Sequence, residues 1–204
     1  MVVQALREVL DSEYRGPRAV FTEVDVLKAL LAIGRSGRVG RGKLGTVTAL
    51  GQGEVRTLIK RMKDRQLITI EADGCKLSKR GEKEYAKLSS LIVSSGPVSA
   101  RSLHLGKECW AVLVRGAAGA VRYGIEQRDA AIKAGADGAF TSVFRSGRFM
   151  IPGESVDCER DGPVEPWTTL RKMGPLEGDV AVVTGSPNSR ASEDGALAAM
   201  LTLV

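Results

Sequence analysis

Between Asp25 and Glu54 the chain carries no acidic residue, yet Lys28, Arg35, Arg38, Arg41 and Lys43 all fall there. Such a run concentrates positive potential and favours encounter with a polyanion; acids mixed among the bases would instead describe an ordinary solvated surface. Two phosphate-binding patterns overlap this run. Residues 37–43 match the first seven positions of a P-loop, but Leu44 stands where a hydroxyl must hold magnesium. Gly40, Gly42 and Gly45 match a dinucleotide fingerprint. Both motifs need a preceding strand and a helix precedes this one, so the glycines are expected to form a flexible loop. A second anion candidate is the segment 184–190. There Ser186, Asn188 and Arg190 stand at a strand-to-helix junction whose N–H groups would face an anion, although N-capping is the plainer use of the same residues. Arg128, exposed on an earlier helix, is a further contact for a small ligand. The single histidine, His104, lies beside Ser102 in a segment without the rigid scaffold a triad needs, and the cysteines Cys75, Cys109 and Cys158 are too scattered for a zinc set. No catalytic residue, metal or cofactor is expected.

The elements that would position these groups follow from composition and periodicity. With 204 residues, 43% hydrophobic and 26% charged, the chain has the make-up of a soluble globular protein of two small domains. No uncharged apolar run reaches the roughly 18 residues of a membrane span, so no membrane partner is expected. Charges at Arg7, Glu8, Asp11, Glu13 and Arg15 interrupt any secretory core, and an odd number of cysteines suits reduced thiols, so a cytoplasmic location is expected. The net charge is +6, and residues 1–95 hold 18 Lys/Arg against 11 Asp/Glu, so the excess lies wholly in the first half. The small residues and proline of the segment 94–99 mark a boundary. The expected division is a domain over 1–93, a linker over 94–106 and a second domain over 107–204.

In the first half, Val2, Leu6, Val9 and Leu10 predict a helix over 2–12, ended by Gly16-Pro17. Thr22 caps a second helix carrying Val24, Leu27, Leu30 and Leu31, with Gly34 as its C-cap. A short segment aligns Leu44, Val47 and Leu50, and Gly51-Gln52-Gly53 makes a turn. Val55, Leu58, Ile59 and Met62 then form an apolar stripe on a helix over 54–65, whose other faces carry Arg56, Thr57, Lys60, Arg61 and Lys63. Residues 67–71 and 75–78 read as strands about an Asp73-Gly74 turn, and Ser78 caps a last helix through Tyr85, Leu88, Leu91 and Ile92.

This order, carried by Gly45-Thr46-Val47, by residues 51–59, by Leu67-Ile68 and by residues 77–81, resembles the winged helix-turn-helix transcription regulators of bacteria and archaea. The resemblance covers residues 20–92. The whole chain is also similar to small archaeal proteins that join a winged helix to an uncharacterised C-terminal domain. The first resemblance implies double-stranded DNA as partner, with the helix 54–65 in the major groove. Arg56, Thr57 and Lys60 would lie nearest the base edges, Arg56 being suited to a guanine, with Gln52, Arg61 and Lys63 on the same element. Arg38, Arg41 and Lys43 before it, and Lys76, Lys79 and Arg80 after it, would contact phosphates.

In the second half, residues 110–114, 139–144, 148–151 and 180–184 read as strands, and 125–134, 167–173 and 192–203 as helices. That is the βαββαβ order of a ferredoxin-like sandwich followed by a helix, so the expected class is α+β. Such a domain would sense a small-molecule effector or form a homodimer, with the N-terminal helix and the helix 79–92 as other interface candidates. The expected function is sequence-specific transcription regulation. A non-specific architectural DNA binder, a winged helix used for protein interaction, and an enzyme in the C-terminal half stay open.

Overall fold

A computed structural model describes residues 2–11, 20–154, 156–162 and 165–204. The expected helix stop at Gly16-Pro17 lies outside the described residues. The chain divides into two compact units, Met1–Ser89 and Ser90–Val204.

The first unit is helical with one hairpin. Helices α1 (Val2–Leu10), α2 (Glu23–Ser36), α3 (Arg41–Thr48) and α4 (Gln52–Asp64) precede strands β1 (Ile68–Glu71) and β2 (Gly74–Leu77), and α5 (Lys79–Leu91) follows. Thr22 caps α2 as expected: its hydroxyl accepts from the Asp25 N–H at 3.4 Å, and the Asp25 carboxylate accepts from the Thr22 N–H at 2.8 Å. Gly34 is not the C-cap. Helix α2 runs on to Ser36, and Gly37, at φ 71°, ends it. Gly34 instead lies under the Tyr85 ring, where an added Cβ would come within 2.3–2.5 Å of the ring carbons. Its lack of a side chain lets α5 approach α2. Val26, Leu27, Leu30, Leu44, Leu58 and Met62 are all fully buried and supply the core.

The second unit is one antiparallel sheet in the order β3-β4-β7-β5-β6, built from β3 (Ile92–Pro97), β4 (Glu108–Val114), β5 (Gly138–Arg145), β6 (Arg148–Met150) and β7 (Val180–Ser186). Helices α6 (Ile125–Lys133) and α9 (Ser189–Leu201) pack on one face. The other face is covered by the short helices α7 (Cys158–Asp161) and α8 (Trp167–Lys172), around a cluster in which Phe149 stacks on Trp167 at 5.7 Å and meets Phe144 edge-on at 5.0 Å. The class is thus α+β, helices first and a sheet unit after.

Two expectations are corrected. The segment 94–97, expected in a linker, is part of edge strand β3: Ser94, Ser95, Gly96 and Pro97 oppose Leu113, Val112, Ala111 and Trp110. A proline is tolerated there because an edge strand need not donate on its outer side, and the Trp110 indole donates to the Ser95 hydroxyl at 2.7 Å. The sheet is also not ferredoxin-like. That arrangement puts the third strand of the repeat between the first two, whereas here the last strand, β7, lies between β4 and β5. Burial explains the choice. All seven residues of β7 are buried, while β6 is three residues long and buries only Phe149. Strand β7, and not β6, therefore fills the central position covered on both faces.

Two buried carboxylates tie this unit together. Asp179, at the foot of β7, accepts from the Arg115 guanidinium at 2.6 Å and from the Gly116 and Leu176 N–H groups at 2.9 Å each. Asp157 caps α7 through the Glu159 and Arg160 N–H groups, at 3.0 and 3.1 Å, and pairs with Arg148 of β6. The Arg148 guanidinium first, and then those N–H groups, hold the Asp157 carboxyl below the usual carboxylate range, against the opposing effect of burial. Among the described residues no helix is long and apolar enough to cross a membrane.

Asp179→Ala leaves the Arg115 charge and two N–H groups without their acceptor, and is expected to destabilise the protein by about 3 kcal/mol in urea denaturation. Asp157 predicts an acid-side dependence. Its folded pKa lies below its unfolded value of about 3.9, so its contribution is present above that value and is lost as pH falls through the folded pKa. Melting temperature measured from about pH 6 down to pH 3 should therefore fall less in Asp157→Asn than in the wild type.

Candidate nucleic-acid interface

The outward face of α4 is set by what the helix buries. Val55, Leu58, Ile59 and Met62 are buried, and Gln52, Arg56, Thr57, Lys60 and Lys63 are exposed. Gln52, Arg56, Lys60 and Lys63 recur at steps of four, four and three, so they form one polar stripe about 17 Å long. The Gly51 N–H donates to the Glu54 carboxylate at 2.7 Å and fixes the start of the helix, two residues earlier than expected. The Thr57 hydroxyl donates to the Gly53 carbonyl at 3.0 Å, so its proton is held within the helix. Before α4, Ala49 at φ 46° turns the chain out of α3.

The hairpin stands beside this face. Ile68, Thr69, Ile70 and Glu71 pair with Leu77, Lys76, Cys75 and Gly74. Val39 adds a bridge to Cys75, with N–H···O distances of 3.0 and 2.9 Å. Gly74, at φ 144°, passes so close that a Cβ would meet the Val39 carbonyl oxygen at 2.8 Å. A groove of about 650 Å³ runs between α4 and the hairpin, bordered by Arg41, Arg56, Lys60 and Lys63 on one side and by Ile70 and the hairpin turn on the other.

Not every predicted cation reaches this groove. Arg56, Lys60 and Lys63 line it, and so does Arg41 from the start of α3. Lys43, Lys76 and Lys79 are exposed but do not line it. Three arginines are engaged elsewhere. Arg38 binds both Glu71 and Asp73, which fastens the loop before α3 to the hairpin and offsets two of the three carboxylates that line the groove, Asp64 being the third. Arg61 is 4% exposed; it donates to the Val9 and Leu10 carbonyls at 3.4 and 3.3 Å and lies over the Phe21 ring at 5.7 Å. It therefore satisfies the end of α1, where carbonyls lack helix partners and a cation is favoured. Arg80 pairs with Glu8 and donates to the Arg65 carbonyl at 2.8 Å. Arg61 is thus corrected from a contact residue to an internal tie, while Arg80 keeps its side chain 39% exposed beside its pair with Glu8.

One groove residue escaped the sequence reading. Ile70 is 51% exposed although Ile68, two residues earlier on the same side of β1, is buried. The signal was an isoleucine close to the Asp73-Gly74 turn, past the reach of the core. The P-loop-like segment is no phosphate loop: Gly40 is the N-cap of α3, and residues 41–43 belong to that helix.

The second predicted anion site closes on itself. The Asn188 side chain accepts from the Ala191 N–H at 2.9 Å. The Ser186 hydroxyl accepts from the Asn188 N–H at 3.1 Å and meets the Ser192 hydroxyl at 3.1 Å, and Ser192 donates to the Glu108 carbonyl at 2.6 Å. Arg190 pairs with Asp194 one turn along α9. These residues cap α9 and stitch it to β4, while Arg128 stands on α6. Burial pushes all three cysteine thiols up, that of Cys158 to about 11. Among the described residues no group of three or more His, Cys, Asp or Glu side chains is placed to hold a metal.

Residues 105–203 match the family described as a domain of unknown function (DUF4443). The match starts after β3, so the edge strand lies outside it. A solved structure, the hypothetical protein PH0730 from Pyrococcus horikoshii OT3, is 23% identical over 90% of this chain and 92% of its own, with a TM-score of 0.69. That likeness extends over both units and shows the fold. It agrees with the expected similarity to small archaeal proteins with an uncharacterised C-terminal domain. Among curated proteins no match was found.

The geometry separates two arginine or lysine positions on one helix. Arg61→Ala removes the donor held by two carbonyls and is expected to lower stability by about 2 kcal/mol in urea denaturation. Lys63→Ala, on the exposed stripe, should change it by no more than about 0.5 kcal/mol.

Proposed function

We propose that this protein is a sequence-specific, double-stranded DNA-binding transcription regulator of the cytoplasm. In this reading α3 and α4 are the paired helices of a winged helix-turn-helix, α4 enters the major groove, and the β1–β2 hairpin is the wing. The C-terminal unit serves as a ligand-sensing or dimerisation domain. The observation that carries the proposal is the exposed stripe Gln52, Arg56, Lys60 and Lys63, on a helix whose every apolar side chain is turned inward.

The stripe has suitable chemistry for a duplex. Arg56, near the N-terminal half of α4, has the forked donor geometry that pairs with the O6 and N7 of guanine. Gln52, one turn earlier, can bridge the corresponding atoms of adenine. Lys60 and Lys63 continue towards the backbone, and Arg41, Lys43, Lys76 and Lys79 flank the same helix in exposed positions. Arg38 contributes indirectly, because its pairing with Glu71 and Asp73 reduces repulsion between the wing and a phosphate chain.

Selection from a randomised duplex library, with bound fractions sequenced at several salt concentrations, tests the proposal. Enrichment of one motif is expected. Arg56→Ala should relax preference at one base pair and weaken the selected site by about 1–3 kcal/mol. Lys63→Ala should weaken all duplexes alike and reduce the salt slope by about one. Steeply salt-dependent retention without a motif would point to an architectural role. No retention at low salt would overturn the DNA reading.

A further inference from the structure

Helix α6 buries Gln127 and Ala131 against its own unit and turns another face outward. On that face Ile125 is 51% and Ile132 47% exposed. Between them stand Arg128 and Asp129, with side chains 53% and 52% exposed. The four residues occupy positions i, i+3, i+4 and i+7, which places them on one stripe. Two isoleucines seven residues apart on an outward helical face repeat at the spacing of a coiled-coil seam, and each is about half exposed.

The stripe is also symmetric about its own centre. Read from either end it runs isoleucine, charge, opposite charge, isoleucine. If a second copy of α6 lies antiparallel across it, with a two-fold axis between positions 128 and 129, Ile125 faces the partner's Ile132 and Arg128 faces the partner's Asp129. Symmetry makes each contact twice, which is the self-complementarity a two-fold interface demands. Glu126 and Lys133 lie on one flank of the stripe. In the same arrangement Glu126 is offset from the partner's Lys133 by only about 3 Å along the axis, within reach of a further ion pair. Within one chain Arg128 and Asp129 are adjacent, and their 3.4 Å contact is the weak geometry of neighbouring positions. A parallel partner would instead set Arg128 against Arg128 and Asp129 against Asp129.

We propose that this protein self-associates as a two-fold dimer through antiparallel pairing of α6 with α6 of a second copy. The occupant of the face is a second copy of the same chain because the stripe is its own complement in the antiparallel register. Two and a half turns of helix bury less than the roughly 800 Å² per partner of a standard interface, so the association belongs in the micromolar range. This inference rests on the proposed reading of the C-terminal unit as a dimerisation domain and is independent of the DNA reading.

Sedimentation velocity of the full chain from about 5 to 500 µM tests it, with circular dichroism to confirm that each variant is folded. The wild type should pass from monomer to dimer over that range, and Ile132→Glu should remain monomeric. Arg128→Glu and Asp129→Arg, each alone, place like charges opposite one another twice and should weaken association about tenfold or more. An equimolar mixture of these two variants should recover the dimer, because in the mixed pair every charge again meets its opposite. A wild type monomeric throughout, a dimer indifferent to Ile132→Glu, or a mixture that fails to recover would each overturn the proposal.

Discussion

Burying Val55, Leu58, Ile59 and Met62 fixes the rotation of α4 about its own axis, and the surface chemistry of the N-terminal unit follows from that rotation. The magnitudes decide the matter. Each large apolar side chain removed from water contributes about 1.5–3 kcal/mol, whereas an exposed ion pair contributes about 0–1 kcal/mol. Four buried side chains outweigh any preference the surrounding charges express, so Gln52, Arg56, Lys60 and Lys63 point outward because the core requires it. Arg61 is the residue this rotation carries inward. A buried guanidinium is tolerable only with acceptors and a partner surface. The Val9 and Leu10 carbonyls and the Phe21 ring provide them, so the same rotation that presents the stripe also anchors α1.

In the C-terminal unit the corresponding constraint is the placement of β7. A strand buried at all seven positions has to be central, and Asp179 at its start explains how a charged group is accepted there: three donors converge on one carboxylate. The sequence pattern Val180-Ala181-Val182-Val183 carried this information, but element order alone does not specify strand order. The order of strands and helices in the chain matched a ferredoxin-like repeat, and the pairing departed from it because β6 is too short for the centre. Strand β3 was hidden for a different reason. Ser94, Ser95, Gly96 and Pro97 have the composition of a linker, and edge strands draw on the same residue types. What makes them a strand is β4, a neighbour that no local pattern reveals.

The outer face of α4 was legible because a 3.6-residue repeat is a local property. Which other cations are available was not, since the answer depends on residues distant in the chain. Arg38 meets its carboxylates 33 and 35 positions later, Arg61 its carbonyls 52 and 51 positions earlier, and Arg80 meets Glu8 across 72. Counting basic residues in the first half therefore does not show which of them are engaged by distant parts of the chain. The exposed Ile70 is the opposite case: alternation along β1 assigns it to the same side as Ile68, and only the reach of the core decides that one is buried and the other open.

Engaging some cations internally does not abolish the positive field of this face. Arg38 is tied to Glu71 and Asp73, two of the acids bordering the groove, so its charge is set against the groups that would repel a polyanion. Arg61 and Arg80 are tied to the ends of helices and to Glu8, away from the exposed stripe. Arg41, Arg56, Lys60 and Lys63 border one groove together with Asp64, and the carboxylates of the hairpin are paired with Arg38. Arginines serve where a planar group must satisfy carbonyls or carboxylates at fixed geometry, and lysines supply most of the charge that remains at the surface. The unit thus uses its excess of basic residues twice, first to fasten α1, the loop before α3 and the hairpin around α4, and then to charge the face that this fastening holds open.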